Sequence, residues 1–247
     1  MQSELNDGLP EEWEGTSSLG FIEIGKQITC RRCGANQPQD RQSAPCNCGD
    51  HCFYCIRCLQ MGKIKRCSLL YALTEKNRFS PVKEPVLTWQ GKLSVQQEIA
   101  SNEIETTIKA AQTRLIWAVA GAGKTEMLFK GIEWALREGK RICIASPRTD
   151  VCLELAPRLK SAFQDVEQLT LYGDMEESYR YTQLVIATTH QLMRFKEAFD
   201  VLIIDEIDAF PFDTDKGLQF AAQKAKKTKG ALIYLSATPN KKMRQDI

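Results

Sequence analysis

The run "AVAGAGKTE", residues 118–126, has the residue types that hold a polyphosphate. Gly121, Ala122 and Gly123 let the backbone wrap a phosphate, Lys124 supplies a point charge, and Thr125 offers a hydroxyl to magnesium. The nucleotide contact set extends to Glu126, at the start of a helix whose positive end faces the phosphates. The usual first glycine is Ala118 here, so the pattern is a variant of the strict phosphate loop. Eighty-one residues beyond Lys124 stands "DEID", Asp205 to Asp208. Asp205 is suited to orient magnesium and Glu206 to polarise an attacking water as general base. With Lys124 they form a catalytic set for phosphoryl transfer, whose demands are positioning and charge stabilisation.

Two smaller features fit the same chemistry. "SATP" begins at Ser236, and the hydroxyls of the Ser236-Ala237-Thr238 turn are placed to hydrogen-bond Asp208, coupling the nucleotide state to neighbouring elements. Upstream, "LSVQQEIA" offers Gln97, whose amide can pair with an adenine edge, so the favoured nucleotide is ATP.

Eight of the ten cysteines lie between residues 30 and 67. An ATP-dependent protein works in a reducing compartment, where close C-x-x-C pairs bind metal rather than form disulfides. Cys30, Cys33, Cys55 and Cys58 are two zinc knuckles spaced for one four-thiolate site. Cys46, Cys48, Cys52 and Cys67 are the number a second site needs, with nearby arginines and lysines to balance thiolate charge. The C-x-C spacing of Cys46 and Cys48 is tight, His51 is a possible substitute ligand, and one zinc plus redox-prone thiols is the competing reading. Cys143, Cys152, Trp117 and Trp134 read as core packing.

These residues need elements to hold them. The pattern from about Leu87 onward alternates apolar strands, such as "LIWAV", "RICIAS", "LVIATT", "VLIID" and "ALIYLS", with amphipathic helices. That predicts an α/β fold, a parallel sheet flanked by helices and covered on both faces. The proline-bearing "SPVKEPV", residues 80–86, marks the boundary with the cysteine-rich block. The expected organisation is an acidic, partly flexible segment 1–28, a zinc-binding module 29–80, and a nucleotide-binding domain 87–247.

The net charge of +2 hides an uneven distribution, −5 over residues 1–28 and +6 over residues 29–80. The basic block suits a polyanion, or is a solvated surface. The run "KAKKTKG", residues 224–230, reads as a solvated helix end rather than a DNA patch. No apolar run is long enough to span a bilayer and the acidic N-terminus lacks secretion-signal character, so the chain is expected to be intracellular.

In order, Gln97, the phosphate loop, "DEID" and "SAT" resemble superfamily-two DEAD-like helicases. More narrowly, "IWAVAGAGKTEMLF", "ASPRTDVCLELAPRL", "ATTHQLMRF" and "IDEIDAFPF", behind a cysteine-rich segment, resemble the ComFA family of late-competence proteins. The resemblance implies a RecA-like fold and a DNA-stimulated ATPase that helps draw single-stranded DNA through the competence channel. It implies a ComFC-type partner and a cytoplasmic place at the inner face of the membrane. It assigns Cys30, Cys33, Cys55 and Cys58 to the family's metal motif, and Arg148, Thr188, Thr189, His190 and Gln191 to a nucleic-acid track, although Arg148 has a local salt bridge as its alternative. Helicases of this class use a second RecA-like domain with an arginine finger, and no motif for one is present. The chain is therefore expected to be the first part of a longer protein that binds ATP or ADP but hydrolyses poorly alone. The alternative function is an ATP-switched adaptor that docks partner proteins without moving DNA.

Overall fold

The computed structural model describes residues 2–3, 14–49, 51–119, 121–173, 175 and 178–239. Of the acidic segment 1–28 whose partial flexibility the sequence suggests, residues 1 and 4–13 lie outside them, whereas residues 15–28 contribute to three strands. In chain order the strands are β1 (Gln2–Ser3), β2 (Gly15–Leu19), β3 (Phe21–Ile24), β4 (Gln27–Cys30), β5 (Arg41–Ser43), β6 (Phe53–Cys55) and β7 (Leu69–Leu73). There follow α1 (Val95–Lys109), β8 (Thr113–Trp117), α2 (Lys124–Arg137), β9 (Ile142–Ser146), α3 (Thr149–Ala162), β10 (Gln168–Leu171) and β11 (Leu184–Thr188). The series ends with β12 (Phe199–Ile204), α4 (Lys216–Ala225) and β13 (Lys226–Ser236).

The chain forms two compact units. One gathers residues 76–191, 199–214 and 226–247. Its sheet is six-stranded and parallel, in the order β10-β11-β9-β12-β13-β8. Its helices cover apolar strands: every residue of β9 and of β11 is buried, as expected for central strands enclosed on both faces. Ile142, Ile144, Leu184, Ile186, Val201, Ile203 and Ile233 join Leu128, Ile132, Leu155 and Leu159 of the helices in one core. This is the parallel sheet flanked by helices that the strand and helix pattern predicts, and the RecA-like fold that the resemblance implies.

The other unit gathers residues 1–75, 192–198 and 215–225. It holds a three-stranded sheet, β1-β7-β2, and two hairpins, β3-β4 and β5-β6. Within residues 14–75 the apolar core is small: Phe21 meets Phe53 edge to face at 4.9 Å, with Ile64, Leu70, Cys30, Cys33, Cys55 and Cys58 buried. Leu192, Phe195, Leu218, Ala221 and Ala222 of the two later segments are buried as well. Residues 14–75 alone bury too little apolar area to do without a further staple.

Two features depart from the sequence reading. Residues 192–198 and 215–225, read as parts of the nucleotide-binding domain, cluster with the cysteine-rich block. The run from Lys224 to Gly230 is no solvated helix end. It passes from α4 into β13, and the Lys227 ammonium donates to Asn77 Oδ1 at 2.8 Å and to Asp200 Oδ2 at 2.9 Å.

Candidate nucleotide site and cysteine clusters

The sheet order assembles the site. The carboxyl ends of β8, β13, β12, β9 and β11 are neighbours in space, and they carry in that order the glycine loop, Ser236, Asp205, the "SPRTD" turn and Thr188. Ligands of open α/β sheets bind outside this edge.

The loop passes from β8 into α2 through Gly123, whose φ of 72° and ψ of 40° lie in the left-handed region. That conformation favours glycine, and a Cβ there would stand 2.5 Å from Gln97 Nε2 and displace its side chain. The α2 N-terminus, opening at Lys124, leaves its first N–H groups without intrahelical partners, which is what an anion needs. Lys124 Nζ lies 3.9 Å from Asp205 Oδ1, so the loop cation and the strand-end carboxylate face the same space, and Thr125 is buried beside them. The Glu126 carboxylate accepts from Arg158 Nη2 at 2.6 Å through Oε1, while its Oε2 stays beside Gly123, 3.2 Å from where a Cβ there would stand.

Gln97 is more occupied than expected. Its Oε1 accepts from the Ser94 backbone N–H at 2.7 Å, closing the capping box of α1, and its Nε2 donates to the Ala122 carbonyl at 2.8 Å. The amide thus braces the phosphate loop, and one N–H and one lone pair remain for a base. Next to it a cavity of ≈ 480 Å³ is lined by Gln97, Trp117, Val119 and Gly121. Trp117 is not core packing: it is 60% exposed and its indole N–H donates to the Ala237 carbonyl at 3.1 Å, tying β8 to the "SAT" turn. An apolar strand-end residue carries no sequence sign of such a bond. Cys143 and Cys152 are fully buried, as read.

Asp205 is buried at the end of β12, and its Oδ1 accepts from the Glu206 N–H at 2.8 Å. Burial pushes its carboxyl above the ordinary range, opposed by the Lys124 ammonium. Glu206 adopts φ of 52°, a strained conformation for a residue with a side chain. Its Oε2 is buried without a hydrogen-bond partner and lies 3.7 Å from Arg148 Nη1. Burial raises the Glu206 carboxyl as well, opposed first by Arg148. A carboxylate with a vacant acceptor and a raised pKa is what a base acting on water requires. Asp208 accepts from Ser236 Oγ at 2.6 Å and Thr238 Oγ1 at 2.5 Å, and the Thr238 N–H donates to Ser236 Oγ at 3.1 Å. Burial alone would raise Asp208, but the two hydroxyls outweigh it and hold the carboxyl below its ordinary value.

The residues of the expected nucleic-acid track divide. Arg148 is exposed and bonded to the Asp150 carboxylate at 2.5 and 3.2 Å, in addition to facing Glu206, so the local salt bridge is present. His190 is partly exposed. Thr188, Thr189 and Gln191 are buried, Thr189 completely, so their side chains do not reach the surface.

The cysteines fall into the two sets of four that the spacing suggests. In each set the four Sγ atoms lie within 4.8 Å of one another. Cys30 and Cys58 are 3.7 Å apart and Cys33 and Cys55 3.6 Å. In the second set Cys46 lies 3.6 Å and Cys52 3.9 Å from Cys67. A tetrahedral four-thiolate zinc site with Zn–S of about 2.3 Å has sulfurs roughly 3.8 Å apart, so both sets fit the metal in donor type, number and separation. His51 belongs to neither set. The first set is wholly buried, whereas Cys48 and Cys67 of the second are exposed.

Residues 10–72 match the family described as the competence protein ComFA N-terminal domain, and residues 90–241 match the type III restriction enzyme, res subunit. The chain is 50% identical over 225 residues to the competence protein ComFA of Bacillus subtilis, covering 91% of this chain and 48% of that protein. It is 40% identical over 186 residues to the Streptococcus pneumoniae competence protein ComFA, covering 75% and 42%. It thus spans about half the length of these curated relatives. Among solved structures, the Sulfolobus solfataricus SWI2/SNF2 ATPase core in complex with dsDNA superposes with a TM-score of 0.52 at 19% identity, over 67% of this chain and 36% of that one, a likeness of fold.

Proposed function

Because the chain belongs to the helicase-like res-subunit family and carries a ComFA N-terminal domain ahead of it, we propose that it is the zinc module and first motor domain of a competence-associated ATPase. The reading is that ATP hydrolysis moves single-stranded DNA inward during transformation. The single observation that carries it is the row of strand ends that sets Lys124, Asp205, Glu206, Asp208 and Ser236 around one space.

In that space the Lys124 ammonium and the free N–H groups of α2 would grip the phosphates. Thr125 and Asp205 would hold magnesium, which supplies positive charge to the phosphate oxygens during transfer. Glu206, with its unoccupied Oε2, would accept the proton of the attacking water. Asp208 would pass the change to the "SAT" turn through its two hydroxyl bonds. Of the expected track, exposed Arg148, paired with Asp150, and partly exposed His190 would meet a DNA backbone.

No helix among the described residues is long and apolar enough to cross a membrane. A cytoplasmic place at the inner face of the membrane, beside the competence channel and a ComFC-type protein, belongs to the same proposal. Streptavidin displacement from the end of biotinylated single-stranded DNA by the complete protein tests it: ATP-dependent displacement supports a translocase. ATP binding and hydrolysis without displacement would favour the ATP-switched adaptor.

Arg148 opposes the rise in the Glu206 carboxyl, so it favours the ionised base. Removing it raises the Glu206 pKa further. The acid limb of the kcat–pH profile of the complete protein is therefore expected above the ordinary glutamate range, and Arg148→Met is expected to move it to still higher pH. A limb unmoved by the substitution would remove Glu206 as the titrating base.

Both cysteine sets are proposed to hold zinc, with a zinc-to-protein ratio of two. Exposure separates them: zinc is expected to leave the set containing Cys48 and Cys67 first when a chelator is added, giving two phases of release. A measured ratio near one would remove the second site.

A further inference from the structure

Helix α4 follows the "DEID" run in the chain and precedes the strand that ends at Ser236, yet it is built onto the first cysteine set. Near its start, a Cβ on Gly217 would lie 3.4 Å from the Cys33 carbonyl oxygen and 3.7 Å from Cys33 Cβ. One turn on, the Phe220 ring lies over Gly34, where a Cβ would stand 2.7 Å from the ring and where φ is +73°. Glycine is thus required after Cys33 both to turn the knuckle and to admit the helix. At the end of the helix, Lys224 Nζ donates to the Arg32 carbonyl at 2.9 Å and to the Met193 carbonyl at 2.9 Å. Arg32 is one of the two residues inside the knuckle, between Cys30 and Cys33. Its own buried guanidinium donates to the Met61 and Gly62 carbonyls at 2.8 and 2.9 Å, in the turn after Cys58.

Four thiolates around one zinc leave a net charge of about −2 in a buried site, which requires cations and oriented dipoles close by. Arg32 comes from the cysteine segment itself. Lys224 comes from a helix some 190 residues later in the sequence, brings an amine with three donor positions, and fixes the knuckle backbone through the Arg32 carbonyl.

We infer that Lys224 is a positioning residue of the first zinc site, and that α4 is a structural part of that site rather than of the motor domain in whose sequence it lies. The inference rests on the zinc reading of the first cysteine set. Zinc at Cys30, Cys33, Cys55 and Cys58 then orders the segment between "DEID" and "SAT", and that segment in turn retains the zinc.

The test uses the 247-residue chain with Cys48→Ser and Cys67→Ser, so that the first site alone is loaded. Zinc release to a competing chelator is expected to be roughly 10–100-fold easier in Lys224→Met, the effect typical of losing a metal site's outer partner, and close to the parent in Lys224→Arg, which keeps charge and donors. Without any substitution at Lys224, stripping zinc from the same chain is expected to increase hydrogen exchange over residues 216–225 while the amides of β9 and β11 keep their protection. Equal zinc retention by Lys224→Met, no rescue by Lys224→Arg, or unchanged exchange over α4 after stripping would each overturn the inference. Absence of zinc from the parent chain would instead overturn the zinc reading itself, and this inference with it.

Discussion

Lys124→Ala is expected to abolish ATP hydrolysis by the complete protein, with a loss of roughly 10²–10³-fold or more, the scale of removing one preorganised charge from a transition state. The geometry gives the reason. Lys124 stands at the first position of α2 and 3.9 Å from Asp205 Oδ1, so it is the cation shared by phosphates and catalytic carboxylates. Without it, the burial that already raises Asp205 would act unopposed by its nearest charge, and the carboxyl would be a poorer magnesium ligand. Glu206→Gln should produce a comparable loss of turnover by a different route. The amide keeps shape and polarity but cannot take a proton, so nucleotide binding should persist while hydrolysis fails. Binding measured with a fluorescent ATP analogue beside phosphate release separates the two variants. If Glu206→Gln hydrolysed ATP normally, the base would have to be another residue.

The second large effect concerns the first cysteine set. Cys30→Ser with Cys55→Ser takes one thiolate from each knuckle of a wholly buried site. Structural zinc in small domains supplies about 10–16 kcal/mol of folding free energy at neutral pH, far more than the few buried apolar side chains of residues 14–75 can replace. Hydrogen exchange over residues 14–75 is expected to lose its protection in the double variant. The buried strands β9, β11 and β12 belong to the other unit and its own core, and should remain protected. Retained protection across the cysteine-rich unit would mean that its fold does not depend on metal at that site.

The legibility of these features in the sequence follows from their physics. The central strands are fully buried on both faces, so they read as continuous apolar runs. The phosphate loop and "DEID" were legible because their chemistry admits few residue types. The pairing of Asp208 with Ser236 and Thr238 follows once β12 and β13 are neighbours in a parallel sheet.

What was not legible depends on long-range placement. Lys224 is chemically indistinguishable from a surface lysine, and only the fold brings the Arg32 and Met193 carbonyls to it. Trp117 looks like core because its neighbours in β8 are apolar, but it ends the strand and turns out to meet Ala237. Thr188 and Thr189 are natural phosphate donors by type, yet the end of β11 and the turn beginning there direct them inward. Gln97 has the amide that reads adenine, and the structure spends half its capacity on the loop itself.

The strand-end constellation is proposed to be the hydrolytic site of a DNA-dependent ATPase. Steady-state ATP hydrolysis by the complete protein, with and without single-stranded DNA and beside the isolated 247-residue chain, tests it most directly. DNA is expected to raise turnover of the complete protein many-fold while the isolated chain stays slow in both conditions. Equal rates with and without DNA, or full DNA-stimulated turnover by the isolated chain, would contradict it.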